Sequence, residues 1–204
     1  YGTATLIGVD LLNNTVAAGT ILANDPSINN IIGGTFTSSG DTTLEAATEI
    51  GGVTVQATGT ATLGAGADIV NSTIEGSTVA LTAGGKMTNV WVEALNGADI
   101  EADGNIFNAN ISAMDITATS VAGDIIASTF AAGRTVDLDA AGELDSLIVH
   151  AAGTGLAVTD LAIEADAGTW IVGGEYIAAN GSIDLYAGNN IVGANVVAKA
   201  AGAE

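Results

Sequence analysis

The chain has 204 residues, 48% of them hydrophobic but only 4% aromatic, with 28 glycines, one proline and no cysteine. Its 23 acidic residues against three basic ones (Lys86, Arg134 and Lys199) give a net charge of −20, which argues against nucleic acid and anionic membranes as partners. The missing cysteines exclude a disulfide framework and thiolate chemistry, no apolar run reaches the roughly 18 residues of a membrane span, and the even apolar content is not that of a disordered chain.

Residues 1–15, YGTATLIGVDLLNNT, start without methionine or a signal-type segment, as a processed or excised piece would. They fit the repeat badly and are read as a partial turn, a cap or an exchanged strand. From Val16 onward a branched or aromatic residue, a spacer and a small residue recur. The series runs Val16-Ala-Ala18, Phe36-Thr-Ser38, Val55-Gln-Ala57, Ile74-Glu-Gly76, Val92-Glu-Ala94, Ile111-Ser-Ala113, Phe130-Ala-Ala132 and Val149-His-Ala151. Between Phe36 and Val149 the step is 19 residues five times and 18 once. A second element usually follows eight residues after each start, as Leu44-Glu-Ala46, Leu63-Gly-Ala65, Leu81-Thr-Ala83, Ile100-Glu-Ala102 and Leu138-Asp-Ala140. Six residues beyond it stands a third apolar residue: Ile50, Ile69, Met87, Ile106, Ile125 or Leu144. After Val149 the phase breaks, and residues 152–170 are read as an insertion. The pattern resumes as Ile177-Ala-Ala179, Leu185-Tyr-Ala187 and Ile191, with a last strand at Val196.

Alternation of apolar and polar residues within each element is the period of a half-buried strand, and glycine with β-branched residues argues against helix. Three short strands per nineteen residues, bounded by Gly, Asn and Ser turns, describe one coil of a solenoid. The whole chain is therefore expected to be a single all-β domain, a right-handed parallel β-solenoid (β-helix) of about ten coils. At the usual strand spacing of about 4.8 Å, ten coils make a rod roughly 48 Å long. Its core should contain Val55, Leu63, Ile69, Val92, Ile100, Ile106, Ile111, Ile125, Phe130, Leu138 and Leu144. Asn71, Asn89 and Asn108 share one turn position and should stack their amides along the axis, satisfying buried turn groups.

The segments LTAGGKM (81–87), IEADGNI (100–106) and LDAAGEL (138–144) carry a resemblance. Their rhythm resembles the repeats of filamentous-haemagglutinin-like and autotransporter passenger proteins, closely over residues 34–146 and loosely over 170–198. The resemblance implies a β-helix exported to the cell surface or beyond, and adhesion as the activity common in that family.

Chemistry is sparse. His150 is the sole histidine and is read as a surface residue. No nucleophile elbow, zinc motif or phosphate loop is present, and no catalytic or cofactor-binding residue is assigned. Acidic residues form outward columns: one runs Glu49, Asp68, Lys86, Asn105, Asp124, Glu143, and others hold Asp99, Asp137 and Asp184, or Glu45, Glu101 and Asp139. Stacked like charges repel, so Asp99, Glu101, Asp137 and Asp139 are the calcium candidates, against a merely solvated acidic face. Three functions compete: a structural subunit of an extracellular filament, sheath or surface matrix, assembling with itself head-to-tail; an adhesin segment contacting a host or matrix receptor; and a carbohydrate-active enzyme. The first fits a monotonous side wall best, and the chain is read as non-enzymatic.

Overall fold

The computed structural model describes residues 2–157 and 159–199. Among these residues there is no helix, and 26 strands join in one continuous parallel ladder. The strands stack as a β-solenoid of about ten turns with a spacing near 19 residues.

Each coil has three walls. The first holds the V-x-A strands, for example Thr54–Ala57, Thr73–Gly76 and Trp91–Ala94. The second holds the longer strands Thr42–Ala46, Thr60–Ala65, Thr78–Ala83 and Gly97–Ala102. The third is short: Ile69–Val70, Met87–Thr88, Ile106–Phe107. In two coils the first and second walls merge into the single strands Asn110–Ser120 and Thr129–Ala140, with a register shift between Ala113 and Asp115 where the chain rounds the corner.

Columns follow directly from the repeat. Val55, Ile74, Val92, Ile111, Phe130 and Val149 stack on the first wall, all fully buried. Leu44, Leu63, Leu81, Ile100, Ala118 and Leu138 stack on the second. Ile50, Ile69, Met87, Ile106, Ile125 and Leu144 stack on the third. Val55, Leu63, Ile69, Val92, Ile100, Ile106, Ile111, Ile125, Phe130, Leu138 and Leu144 are each at most 1% exposed. Burying each large aliphatic side chain contributes about 1.5–3 kcal/mol, and no coil could bury them alone.

One corner, between the third and first walls, imposes a left-handed residue in every coil. Its occupants are Asn13, Gly33, Gly52, Asn71, Asn89, Asn108, Ala127, Ser146, Gly173 and Gly193, all with φ between 50° and 73°. Asparagine and glycine tolerate that conformation better than other residues, which explains why they recur at this point in the repeat.

Four expectations need correction. At the N-terminal segment the turn stands and the separate cap falls: Thr3–Thr5 pairs in parallel with Thr20–Leu22, and Asp10–Ala18 pairs with Asn30–Ser38, so these strands form the first described coil. Their steps of 17 and 20 residues, rather than 19, hid them. The insertion is shorter than 152–170, because Leu161–Ala167 and Trp170–Val172 are ordinary second- and third-wall strands. Here Ala165 replaces the leucine of the column, with Ile163 filling the next inward place. The register after the loop is one residue earlier than expected: Tyr176 and Ala178 point inward above Val149 and Ala151, and Ile177 faces out above His150. Finally, the asparagine stack is exposed rather than buried. The corner N–H groups of Asn71, Asn89 and Asn108 donate instead to the Thr88, Phe107 and Ile126 carbonyls of the next coil, at 2.9, 3.1 and 3.1 Å.

Candidate interaction surfaces

With the interior filled, the side of the rod offers a partner only its outward columns. At the corner, Asn89 Nδ2 donates to Asn71 Oδ1 at 2.9 Å, and Asn108 Nδ2 donates to Asn89 Oδ1 at 2.8 Å. Two aromatic side chains flank this three-rung amide ladder. Trp91 follows Asn89 onto the first wall and is 52% exposed; Phe107 precedes Asn108 on the third and is 44% exposed. Asn89, Val90, Trp91, Asn108 and Asn110 line a shallow depression of about 290 Å³ there.

Phe107 belongs to a column that the alternation rule misses. Leu12, Ile32, Val70, Phe107, Ile126, Val172 and Val192 all occupy one outward position on the third wall, interrupted by Gly51, Thr88 and Asp145. The signal was present as apolar doublets: Leu11-Leu12, Ile31-Ile32, Ile69-Val70, Ile106-Phe107, Ile125-Ile126, Ile171-Val172 and Ile191-Val192. The first residue of each fills the core and the second faces outward. A surface stripe of this kind is unusual for an isolated soluble rod.

The acidic columns are where the repeat placed them, but the four calcium candidates do not meet. Asp99 stacks between Ala80 and Thr117, and Glu101 between Thr82 and Thr119, so a threonine coil separates them from Asp137 and Asp139. The acids that do come together are Asp137 with Glu164 and Asp184, and Asp139 with Asp166. Desolvation by neighbouring atoms, then repulsion from Asp139 and Asp166, pushes the Asp137 carboxyl up; desolvation, then Asp137, Asp166 and Asp184, does the same to Glu164, although both side chains are exposed. Among the described residues no group of three or more His, Cys, Asp or Glu side chains has metal-holding geometry.

In the other column the carboxylates cap the next coil instead. Asp68 Oδ1 accepts the Lys86 N–H at 3.0 Å, Asn105 Oδ1 accepts that of Asp124 at 3.1 Å, and Asp124 Oδ1 accepts that of Glu143 at 2.8 Å. Lys86 Nζ lies 4.0 Å from Asp68. These side chains close the turn between second and third walls, a structural task.

The remaining polar contacts are surface pairs. His150 Nε2 sits 2.8 Å from Glu175 Oε1, with both side chains nearly half exposed. Arg134 grips Asp115 in bidentate fashion, its Nε donating to Oδ1 at 2.7 Å, and this holds the Asp115 carboxyl below the usual range. Beside His150, a shallow apolar depression of about 610 Å³ runs over Ser112, Ala131, Gly133 and Ala152 to Ile177. Among the described residues the His150–Glu175 pair is a surface hydrogen bond with no nucleophile in contact with it.

The class these features define is that of a β-solenoid with an acidic second wall and an apolar third wall. No family model, curated protein or solved structure matches the chain.

Proposed function

We propose that the protein is a structural β-solenoid subunit of an extracellular filament, sheath or surface matrix, assembling head-to-tail with copies of itself. One observation supports this reading: the first and last described coils carry the same three strand walls, in the same register, as the coils between them, so a second copy can continue the stack. The last described coil comprises Ser182–Ala187, Asn190–Val192 and Asn195–Ala198, and its Ile191 and Val196, which stand in the inward columns, are 46% and 48% exposed. Continuing the columns places Ile183 against Ala4 of a second copy, Ile191 against Leu11 and Val196 against Val16, with Gly193 under the Asn13 corner. Open parallel edges are strong templates for pairing. The contact is heterologous, so it propagates as a fibre rather than closing. No calcium site and no catalytic role is assigned to this joint.

Electron micrographs of the full chain should show fibres, held by backbone pairing and therefore resistant to salt. Deleting residues 1–12 removes the second- and third-wall strands of the first coil and should leave short rods with nearly unchanged circular dichroism. Fibres of unchanged repeat from the truncated chain, or a full chain that stays monomeric at high concentration, would overturn the proposal. An adhesin segment is the second reading, favoured by the exposed Trp91 and Phe107 at the asparagine corner.

A further inference from the structure

The asparagine corner has a chemistry that end-to-end assembly does not use. The chain is poor in aromatics, and Phe36, Phe130 and Tyr176 are consumed by the core. Trp91 and Phe107 stand outside, on adjacent coils and on either side of the rung formed by Asn89 and Asn108. Trp91 is 52% exposed, so its indole N–H is open to water or to a ligand. In the ladder Asn89 uses one N–H and its oxygen, Asn108 one N–H and Asn71 its oxygen, so each exposed amide retains at least one further hydrogen and lone pair for a ligand.

We propose that this corner binds a neutral polysaccharide lying along the rod axis. A pyranose ring has an apolar C–H face, which fits against an exposed aromatic ring, and a rim of hydroxyls that both donate and accept. Amides answer both hydroxyl roles, whereas a carboxylate row would only accept. None of the five residues lining the depression is ionisable, and the net charge of −20 repels sulfated or uronic polymers. The rungs repeat at the coil spacing of about 4.8 Å, so a polymer with a regular repeat meets Asn71, Asn89 and Asn108 in succession. The proposal is independent of head-to-tail assembly, since the corner lies on the side of the rod.

The test is electrophoresis of the full chain through native gels cast with hydroxyethyl cellulose, a β-1,3-glucan or a galactomannan, with dextran sulfate as the acidic control. Retardation is expected in at least one neutral gel and none in dextran sulfate. Trp91→Ala and Phe107→Ala should each weaken it about tenfold, and Asn89→Asp should weaken it while keeping the corner conformation. All three positions are exposed, so the melting temperature should change little. In a Trp170→Phe variant, where Trp91 is the sole tryptophan, the retarding polysaccharide should shift the emission to the blue. Migration unaffected in all three neutral gels, or retardation equal in wild type and Trp91→Ala, overturns the proposal. So does a Trp91→Ala variant whose only change is reduced side-by-side bundling, which would make the corner a contact between copies.

Discussion

Tyr176 is the one residue whose buried polar atom, the phenol oxygen, finds no hydrogen-bond partner among the described residues. The buried hydroxyls of Ser38, Ser72, Ser120 and Ser128 each reach a backbone carbonyl within 3 Å, so the orphan stands out. Burial, reinforced by the negative charge of Asp145, pushes the phenol up to about 12 from an ordinary value of 10.0. The folded state thus holds this proton more tightly than the unfolded chain. The stability linked to it is complete below pH 10 and is lost as pH rises from there through about 12. Denaturant titrations between pH 7 and 11.5 should show that decline in the wild type and a shallower one in Tyr176→Phe. At pH 7 the variant should be at least as stable, because deleting the orphan hydroxyl removes a desolvation cost of about 1–3 kcal/mol. A Tyr176→Phe protein markedly weaker at pH 7 would mean that water or an unseen group satisfies the oxygen. Ile100, 1% exposed in the second-wall column, makes the opposite case. Ile100→Asp buries an unpaired charge and should cost several kcal/mol, and unchanged thermal stability would show the inward register to be wrong.

At the scale of the element, the corner residues give a graded test. Ala127 holds φ at 50° where the coil before uses Asn108 and the coil after uses Ser146, and a left-handed alanine costs about 1 kcal/mol. Ala127→Gly should therefore be neutral to stabilising by up to about 1 kcal/mol in denaturant melts, although glycine ordinarily weakens a sheet. A clear loss would mean that the alanine methyl packs in a way that outweighs the strain. These corners also explain what was legible. Where the step stayed at 18 or 19 residues, the walls, the core columns and the asparagine stack could all be read from spacing alone. The first coil was obscured because its steps are 17 and 20 residues, and residues 161–167 because Ala165 stands where most coils place leucine or isoleucine. The register beyond Val149 was misread because Tyr176, a residue expected at a surface, is the inward one, while Ile177 faces out. The outer surface was less legible still. An apolar doublet such as Ile106-Phe107 reads as extra core until the short third wall shows that only one of the two fits inside.

At the scale of the whole molecule, stacking turns a diffuse net charge into rows. Asp137, Glu164 and Asp184 follow one another up one column and Asp139 and Asp166 up its neighbour. Like charges about 5 Å apart repel by just under 1 kcal/mol per pair in a water-like dielectric, and this surface term is screened by salt. The raised carboxyls of Asp137 and Glu164 mean that the repulsion acts above their folded-state values and is relieved as pH falls through them. Asp115 works the other way: its carboxyl is lowered by Arg134, so its contribution is present above the ordinary carboxylate value and is lost as pH falls through the lower folded one. The melting temperature should therefore rise on moving from neutral into mildly acidic buffer and fall again in stronger acid. At neutral pH it should rise with sodium chloride. Calcium chloride at matched ionic strength should do no more, and a chelator should do nothing, because the described acids form no metal-holding group. A melting temperature indifferent to sodium chloride yet raised by calcium, and lowered again by the chelator, would refute the screening account and show that the rows are cation sites.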